Sequence, residues 1–332
     1  MNNNNGFFAV DKERFYRACD LGINQAISYL VLCNGTQKDN TTTSWSANAV
    51  ETYTGISRGR TKKAINSLIE NELITVIQSG TKPRYLVKEK HTTKKLDAES
   101  VVWLPSGLVV GVSGETPPIE RIRQAKEIMV LRMFFDLYKV QNLIEDGGIP
   151  KDLIHKSYER KKLCEYGQYS IYGFRLKYSS GTWNELTRPH KDESNGDLLW
   201  SRVRLLEDMK LIRIIPYLYD SDDEDGEPVH VIDSDINDLA YNCSKGAVSK
   251  VITNTGSDNI ANEHDIMIPV PRDKPNAAVV GIYQLVYKAR TSMTDKWYVE
   301  EQEAKQEVME RFNELLAKVS PPAGASNAVG FI

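Results

Sequence analysis

SWSANAVETYTGISRGRTKKAINSLIENELITVI, residues 44–77, holds two helical patterns divided by a tight turn and followed by a strand. A short helix from about Ser46 to Thr54 meets Gly55, the residue type that most readily takes the left-handed conformation at a helix end. Ser57 then offers a side-chain oxygen to the free amides of a second helix, read over residues 57–71. At the helical period, Thr61, Ala64, Ile65, Leu68 and Ile69 of that helix fall on one stripe, the pattern of a core-facing side.

The opposite face carries Gly59, Lys63, Asn66 and Glu70, with Lys62 on one flank and Arg60 and Ser67 on the other. Arg58, Arg60, Lys62 and Lys63 crowd the first turns, where the helix dipole favours anions, so the helix by itself gives no reason for them. An external phosphate backbone does. Downstream, LITVIQSGTKPRYLV (73–87) reads as two strands around a turn at Ser79–Pro83, with Lys82 and Arg84 near the tip. From Thr41 to Lys95 there are ten Lys or Arg against four Asp or Glu, inside a chain whose formal net charge is −3. Such local asymmetry is the electrostatic footprint of a polyanion binder.

In this order of elements, NAVETYTGISRGRTKKAINSLIENELI resembles the winged helix-turn-helix of bacterial transcription regulators and of plasmid or phage replication initiators, over roughly residues 20–90. The resemblance implies a helix inserted in the major groove of double-stranded DNA and a hairpin wing against the backbone. By side-chain chemistry Arg60, Lys63 and Asn66 are the candidates for base edges, and Arg58, Lys62, Lys82 and Arg84 for phosphates, with Ser67 completing the DNA-binding face. A winged helix used only for protein contacts, with a solvated basic face, is the plainer alternative.

The chain has 332 residues, 41% hydrophobic and 26% charged, the composition of an ordinary globular protein with room for two or three domains. No run approaches the roughly 18 apolar residues of a membrane span, and MNNNNGFFAVDKERF lacks the basic start and apolar middle of a signal peptide, so a cytoplasmic location is expected. Cys19, Cys33, Cys164 and Cys243 are scattered and read as free thiols.

Sliding the chain against itself by 138 residues aligns Ile65, Leu68, Leu73, Ile74, Val76 and Ile77 with Val203, Leu206, Leu211, Ile212, Ile214 and Ile215, and Trp45 with Trp183. Residues 197–232 thus read as a second long helix running into a hairpin, preceded by the apolar helix IERIRQAKEIMVLRMFFDLYKV as the first unit is preceded by INQAISYLVLC. GIPKDLIHKSYERKKL between the copies reads as an extra helix, and YGQYSIYGFRLKYSSGTW as strand. The second copy has lost the basic turn: Gly59, Arg60, Lys62 and Lys63 correspond to Asp197, Leu198, Trp200 and Ser201. Its hairpin is acidic, with nine Asp or Glu and no Lys or Arg in residues 220–238, so a packing or partner-binding role is expected.

The expected architecture is therefore mostly α with small β-hairpin wings (α+β). It comprises a DNA-binding winged helix over 1–90, a linker over 91–118 holding one short apolar strand with a helix starting at Pro117–Pro118, a divergent winged helix with an insertion and an acidic wing over 119–233, and a helical C-terminal region over 234–332. Within that last region, SDINDLAYNCSKGAVSKVI reads as helix and IMIPVP as a short strand, residues 254–278 as mainly loop, residues 276–319 as two helices divided near Thr291–Asp295, and the tail SPPAGASNAVGFI as flexible. The stripe Ala304, Val308, Phe312, Leu315, Leu316 and Val319 either joins the core of its own chain or makes the segment 295–319 a homodimer contact.

Catalysis is not expected. The five histidines lie in unrelated contexts, no nucleotide-binding, hydrolase or metalloprotease motif is present, and the acidic run 220–227 puts Ile232 where a calcium loop requires its bidentate Glu. Neither cofactor nor metal is implied. The expected function is sequence-specific binding of double-stranded DNA, as transcription regulator or replication initiator. The alternative is a protein-interaction scaffold whose acidic hairpin 220–227 docks a basic protein partner.

Overall fold

The computed structural model describes residues 6–36, 40–87, 100–112, 114–142, 147–181, 189, 197–223, 225–251, 264–288 and 292–320. These divide into two compact units that interleave along the chain: residues 1–141, 183–213 and 285–294 form the first, and residues 142–182, 214–284 and 295–332 the second.

The first unit opens with strand β1 (Phe7–Asp11), which runs antiparallel to β5 (Val101–Pro105) with Phe7 opposite Pro105. Asp11 caps helix α1 (Lys12–Leu21), its carboxylate accepting from the Arg14 amide at 2.9 Å. Helix α2 (Ile23–Asn34) is buried at every position from Ala26 to Cys33, as an apolar helix must be when neighbours cover it on all sides. Helices α3 (Ala47–Thr54) and α4 (Arg58–Glu70) form the helix-turn-helix, and β2 (Thr42–Thr43), β3 (Thr75–Gln78) and β4 (Arg84–Leu86) make a three-stranded sheet in the order β2-β4-β3. The short α5 (Gly107–Val110), then α6 (Pro118–Ala125), α7 (Ile128–Val140) and α8 (Asp197–Asp208) complete it. Pro117 and Pro118 start α6 as the sequence indicated. The apolar segment read as one helix is two, because Lys126 takes a left-handed conformation (φ 59°) between α6 and α7.

The second unit overturns the expected architecture. It is built on a six-stranded antiparallel, curled sheet in the order β10-β7-β6-β11-β8-β9, so the protein is not mostly α with small wings. β6 (Ile154–Tyr166) and β7 (Tyr169–Gly181) form one long hairpin. Its two-residue turn begins at Gly167, whose positive φ of 55° suits the twist of paired strands. The sequence read most of β6 as a helix, since its polar run has no clear period; cross-strand pairing with β7 overrides that weak local preference.

β8 (Ile212–Tyr219) and β9 (Pro228–Val231), expected to be a free wing, are strands of the same sheet. In the C-terminal region IMIPVP is strand β10 (Ile266–Pro271), as its sequence indicated, but β11 (Ala278–Leu285) is a strand where a helix was expected, because a central strand buried on both faces shows no alternation. Of the expected loop 254–278, the part up to residue 263 lies outside the described residues, as do the tail beyond Ser320, residues 91–99 and 113 of the linker 91–118, and Trp183.

Helix α9 (Ser234–Val251) packs its buried Ile236, Ala240, Cys243, Ala247 and Val248 into one core with Ile171, Phe174, Ile266, Ile268 and Val270 of the sheet. The last helix, α10 (Ser292–Val319), adds Val308, Phe312, Leu315 and Val319 to that core. Its apolar stripe therefore closes the unit's own core, while Ala304 is exposed. Close helix approach is set by Gly246, where a Cβ would sit 2.6 Å from Val319 Cγ2, and by Lys305, which bonds Asp233 at 2.6 Å and Asp235 at 2.7 Å.

The 138-residue correspondence survives as one local device. Glu72 and Lys210, equivalent positions, both take left-handed φ (59° and 54°). In each, the next residue donates back into the helix: Leu73 N to Leu68 O at 2.9 Å, and Leu211 N to Leu206 O at 3.0 Å. Thereafter the two diverge, the first entering a three-stranded sheet and the second the six-stranded one, so tandem winged helices do not describe the chain.

Candidate nucleic-acid interface

Several short bonds fix the turn between α3 and α4. Gly55 is left-handed (φ 64°) and donates its amide to Glu51 O at 3.0 Å. Ile56 is buried, its amide bonded to Thr54 Oγ1 at 3.2 Å, and the buried Thr61 hydroxyl returns a bond to Ile56 O at 3.2 Å. Trp45 stacks on Tyr53 with centroids 5.0 Å apart, a position open only because residue 35 is glycine: a Cβ there would lie 2.2 Å from the indole. The turn is thus held by backbone-centred bonds, and the stacked pair of aromatic rings belongs to the first helix and the residues leading into it.

Ser57 is the N-cap of α4, but its side chain makes no capping bond. Glu51 substitutes for part of that role, Oε1 accepting from the Arg58 amide at 3.1 Å. On the inward side Thr61, Ala64, Ile65 and Leu68 are buried and Ile69 half-buried, as the stripe required. On the outward side Arg58, Arg60, Lys62, Lys63 and Asn66 are all exposed, and Ser67 is half-buried. Lys82 and Arg84 are exposed on the hairpin of the same unit.

The two ends of α4 differ instructively. At its C-terminal end, where cations suit the dipole, Arg17 Nη2 donates to Asn71 O at 2.9 Å and Arg14 Nη1 to Leu73 O at 2.8 Å just beyond. These arginines serve the fold. At the N-terminal end, where cations oppose the dipole, the side chains of Arg58, Arg60, Lys62 and Lys63 form no hydrogen bond or ion pair with a described residue, nor do Lys82 and Arg84. Six positive charges are thus presented to solvent with no neutralising partner among the described residues.

The hairpin also leaves apolar groups exposed. Val76 and Ile77, aligned by sequence with Ile214 and Ile215 of the second copy, are 39% and 53% exposed on β3. A β-bulge lies between Val76 and Gln78, and bulges re-aim side chains. The hairpin therefore exposes apolar as well as basic groups.

Other chemistry-bearing groups lead elsewhere. The Tyr16 hydroxyl donates to Asp136, and burial raises the pKa of both, a core pair of α1 and α7. Burial pushes the Cys19 thiol up to about 12, the reverse of what a nucleophile needs. Among the described residues no three His, Cys, Asp or Glu side chains converge as a metal site, and no helix is long and apolar enough to cross a membrane. The acidic turn after β8 is held by Lys151, whose Nζ donates to Asp223 O and Gly226 O at 3.3 and 3.2 Å and lies 4.5 Å from the Tyr219 ring centre. Comparison with family models, characterised proteins and solved structures finds no match.

Proposed function

We propose that the chain is a sequence-specific double-stranded DNA-binding protein that itself performs no chemistry, with α4 reading the major groove and the hairpin 78–85 contacting the backbone. The observation that carries the reading is the exposed, unneutralised cation cluster at the wrong end of α4 for its dipole, on the helix that follows a tightly fixed turn. Arg60, Lys63 and Asn66 are assigned to base edges, Arg58, Lys62, Lys82 and Arg84 to phosphates, and Ser67 to the margin of the same face. A cytoplasmic role in transcription regulation or replication initiation accords with this assignment.

Binding to duplex DNA at low salt is the direct test. Changing Arg60→Ala and Lys63→Ala together removes discrimination between a selected site and bulk DNA, at about 1–3 kcal/mol for each side chain that pairs with a base edge. Folding is untouched, since neither side chain has a partner among the described residues. No affinity of the unaltered protein for duplex at low salt refutes the reading and leaves the protein-docking alternative. Selection of bound genomic fragments separates the two roles: a site in the gene's own promoter marks a regulator, and repeated sites at an origin mark an initiator.

A further inference from the structure

Several glycines among the described residues have visible internal reasons. Gly55 and Gly80 adopt positive φ (64° and 111°), and at Gly35, Gly173 and Gly246 a Cβ would lie 2.2, 2.5 and 2.6 Å from a neighbouring side chain. Gly59 has neither reason. It lies in the first turn of α4 without positive φ, and a Cβ built on it meets nothing within 4 Å. Alanine there is compatible with the backbone and is the better helix former, so glycine weakens the fold with no compensation among the described residues.

Its surroundings point outward. Gly59 is exposed and flanked by Arg58, Arg60, Lys62 and Lys63, all exposed and all without a side-chain partner among the described residues. A side chain omitted where the protein leaves open space, in the middle of a cationic patch, is omitted for something that comes from outside. Glycine is also the residue that lets a ligand approach a backbone closely.

We infer that Gly59 is the point of closest approach between α4 and duplex DNA, and that its missing side chain is required by the DNA rather than by the fold. This rests on the DNA-binding reading and sharpens it. The helix meets the duplex with its first turn, the sugar-phosphate chain touches main chain at residue 59, and the flanking cations are placed around that point. A single methyl at this position holds the helix off the duplex and lengthens the neighbouring charge-assisted bonds together.

The test compares Gly59→Ala and Gly59→Leu with the unaltered protein, using thermal unfolding and the affinity for a mixed-sequence duplex of about three helical turns at about 50 mM salt. The alanine variant should melt about 1–3 °C higher, by restricting the unfolded chain and favouring the helix. It should nevertheless bind at least about tenfold more weakly, and the leucine variant more weakly still. Variants that bind within about twofold of the parent overturn the inference, as does a lower melting temperature for Gly59→Ala, which would show that the fold needs the glycine. If the parent has no duplex affinity at all, the proposed function fails, an outcome distinct from both.

Discussion

If Arg58, Lys62, Lys82 and Arg84 each neutralise one phosphate, the salt dependence of binding follows from counting them. All four are exposed, and none has a side-chain partner among the described residues to break before it reaches DNA. At a slope of about −0.9 per neutralised phosphate, four phosphates per protomer give about −3.6 for log affinity against log salt, and a weakening of about 150-fold between about 50 and 200 mM. Replacing Arg58 and Lys62 by alanine leaves two neutralised phosphates, a slope of about −1.8 and a weakening of about 12-fold over the same range. Stability should not fall, and the helix should gain slightly from the removal of two cations at its N-terminal end. Fluorescence anisotropy of a labelled duplex, titrated at four or more salt concentrations and paired with thermal unfolding of each variant, measures both quantities. A parent slope shallower than about −1, or a double variant that keeps the parent slope, refutes the assignment of these side chains to phosphates.

Two further predictions concern the stability of each unit. His230 lies on β9 against Phe312, ring centres 5.9 Å apart, and burial, aided by the Arg311 charge, lowers its pKa from 6.5 to about 4. Above pH 6.5 neither folded nor unfolded chain is protonated there, and below it the unfolded chain takes the proton first; the second unit therefore loses up to about 3 kcal/mol as pH falls from 6.5 to 4. His230→Phe should flatten the fall of melting temperature with acidification, and parallel curves for parent and variant would falsify the account. Gly55→Ala forces a side chain into left-handed backbone, 3.0 Å from Glu120 Oε1, and should cost about 1–2 kcal/mol in denaturant unfolding. An unchanged midpoint would show that the turn relaxes.

Legibility in the sequence follows the range of the forces involved. The turn at Gly55, the buried stripe Thr61, Ala64, Ile65 and Leu68, and the exposed face Arg58 to Asn66 were all readable, because each depends on residues within a few turns of one helix. The helix-to-strand junctions at Glu72 and Lys210 were readable as a shared spacing of apolar residues, although nothing local announced the left-handed residue in each. Ser57 was misjudged because Glu51, on the preceding helix, takes over the Arg58 amide. The exposure of Val76 and Ile77 was not readable, because burial of a strand residue depends on what covers it, which a pattern of hydrophobic letters does not specify.

By itself the sequence determined a helix-turn-helix with a basic face, since periodicity, a glycine in left-handed backbone and a clash between charge and dipole are written into adjacent residues. Only tertiary structure decided the second unit. Ser157 pairs with Val280 and Ile171 with Pro269, partners more than ninety residues apart, and such pairings are chosen by the closure of a whole sheet rather than by the preferences of either strand. The same is true of α10, whose stripe fits its own core or another chain's equally well until the sheet and α9 supply the surface that Val308, Phe312, Leu315 and Val319 cover. It is true above all of Gly59, which the helical period puts on the outer face but whose empty surroundings only the structure shows.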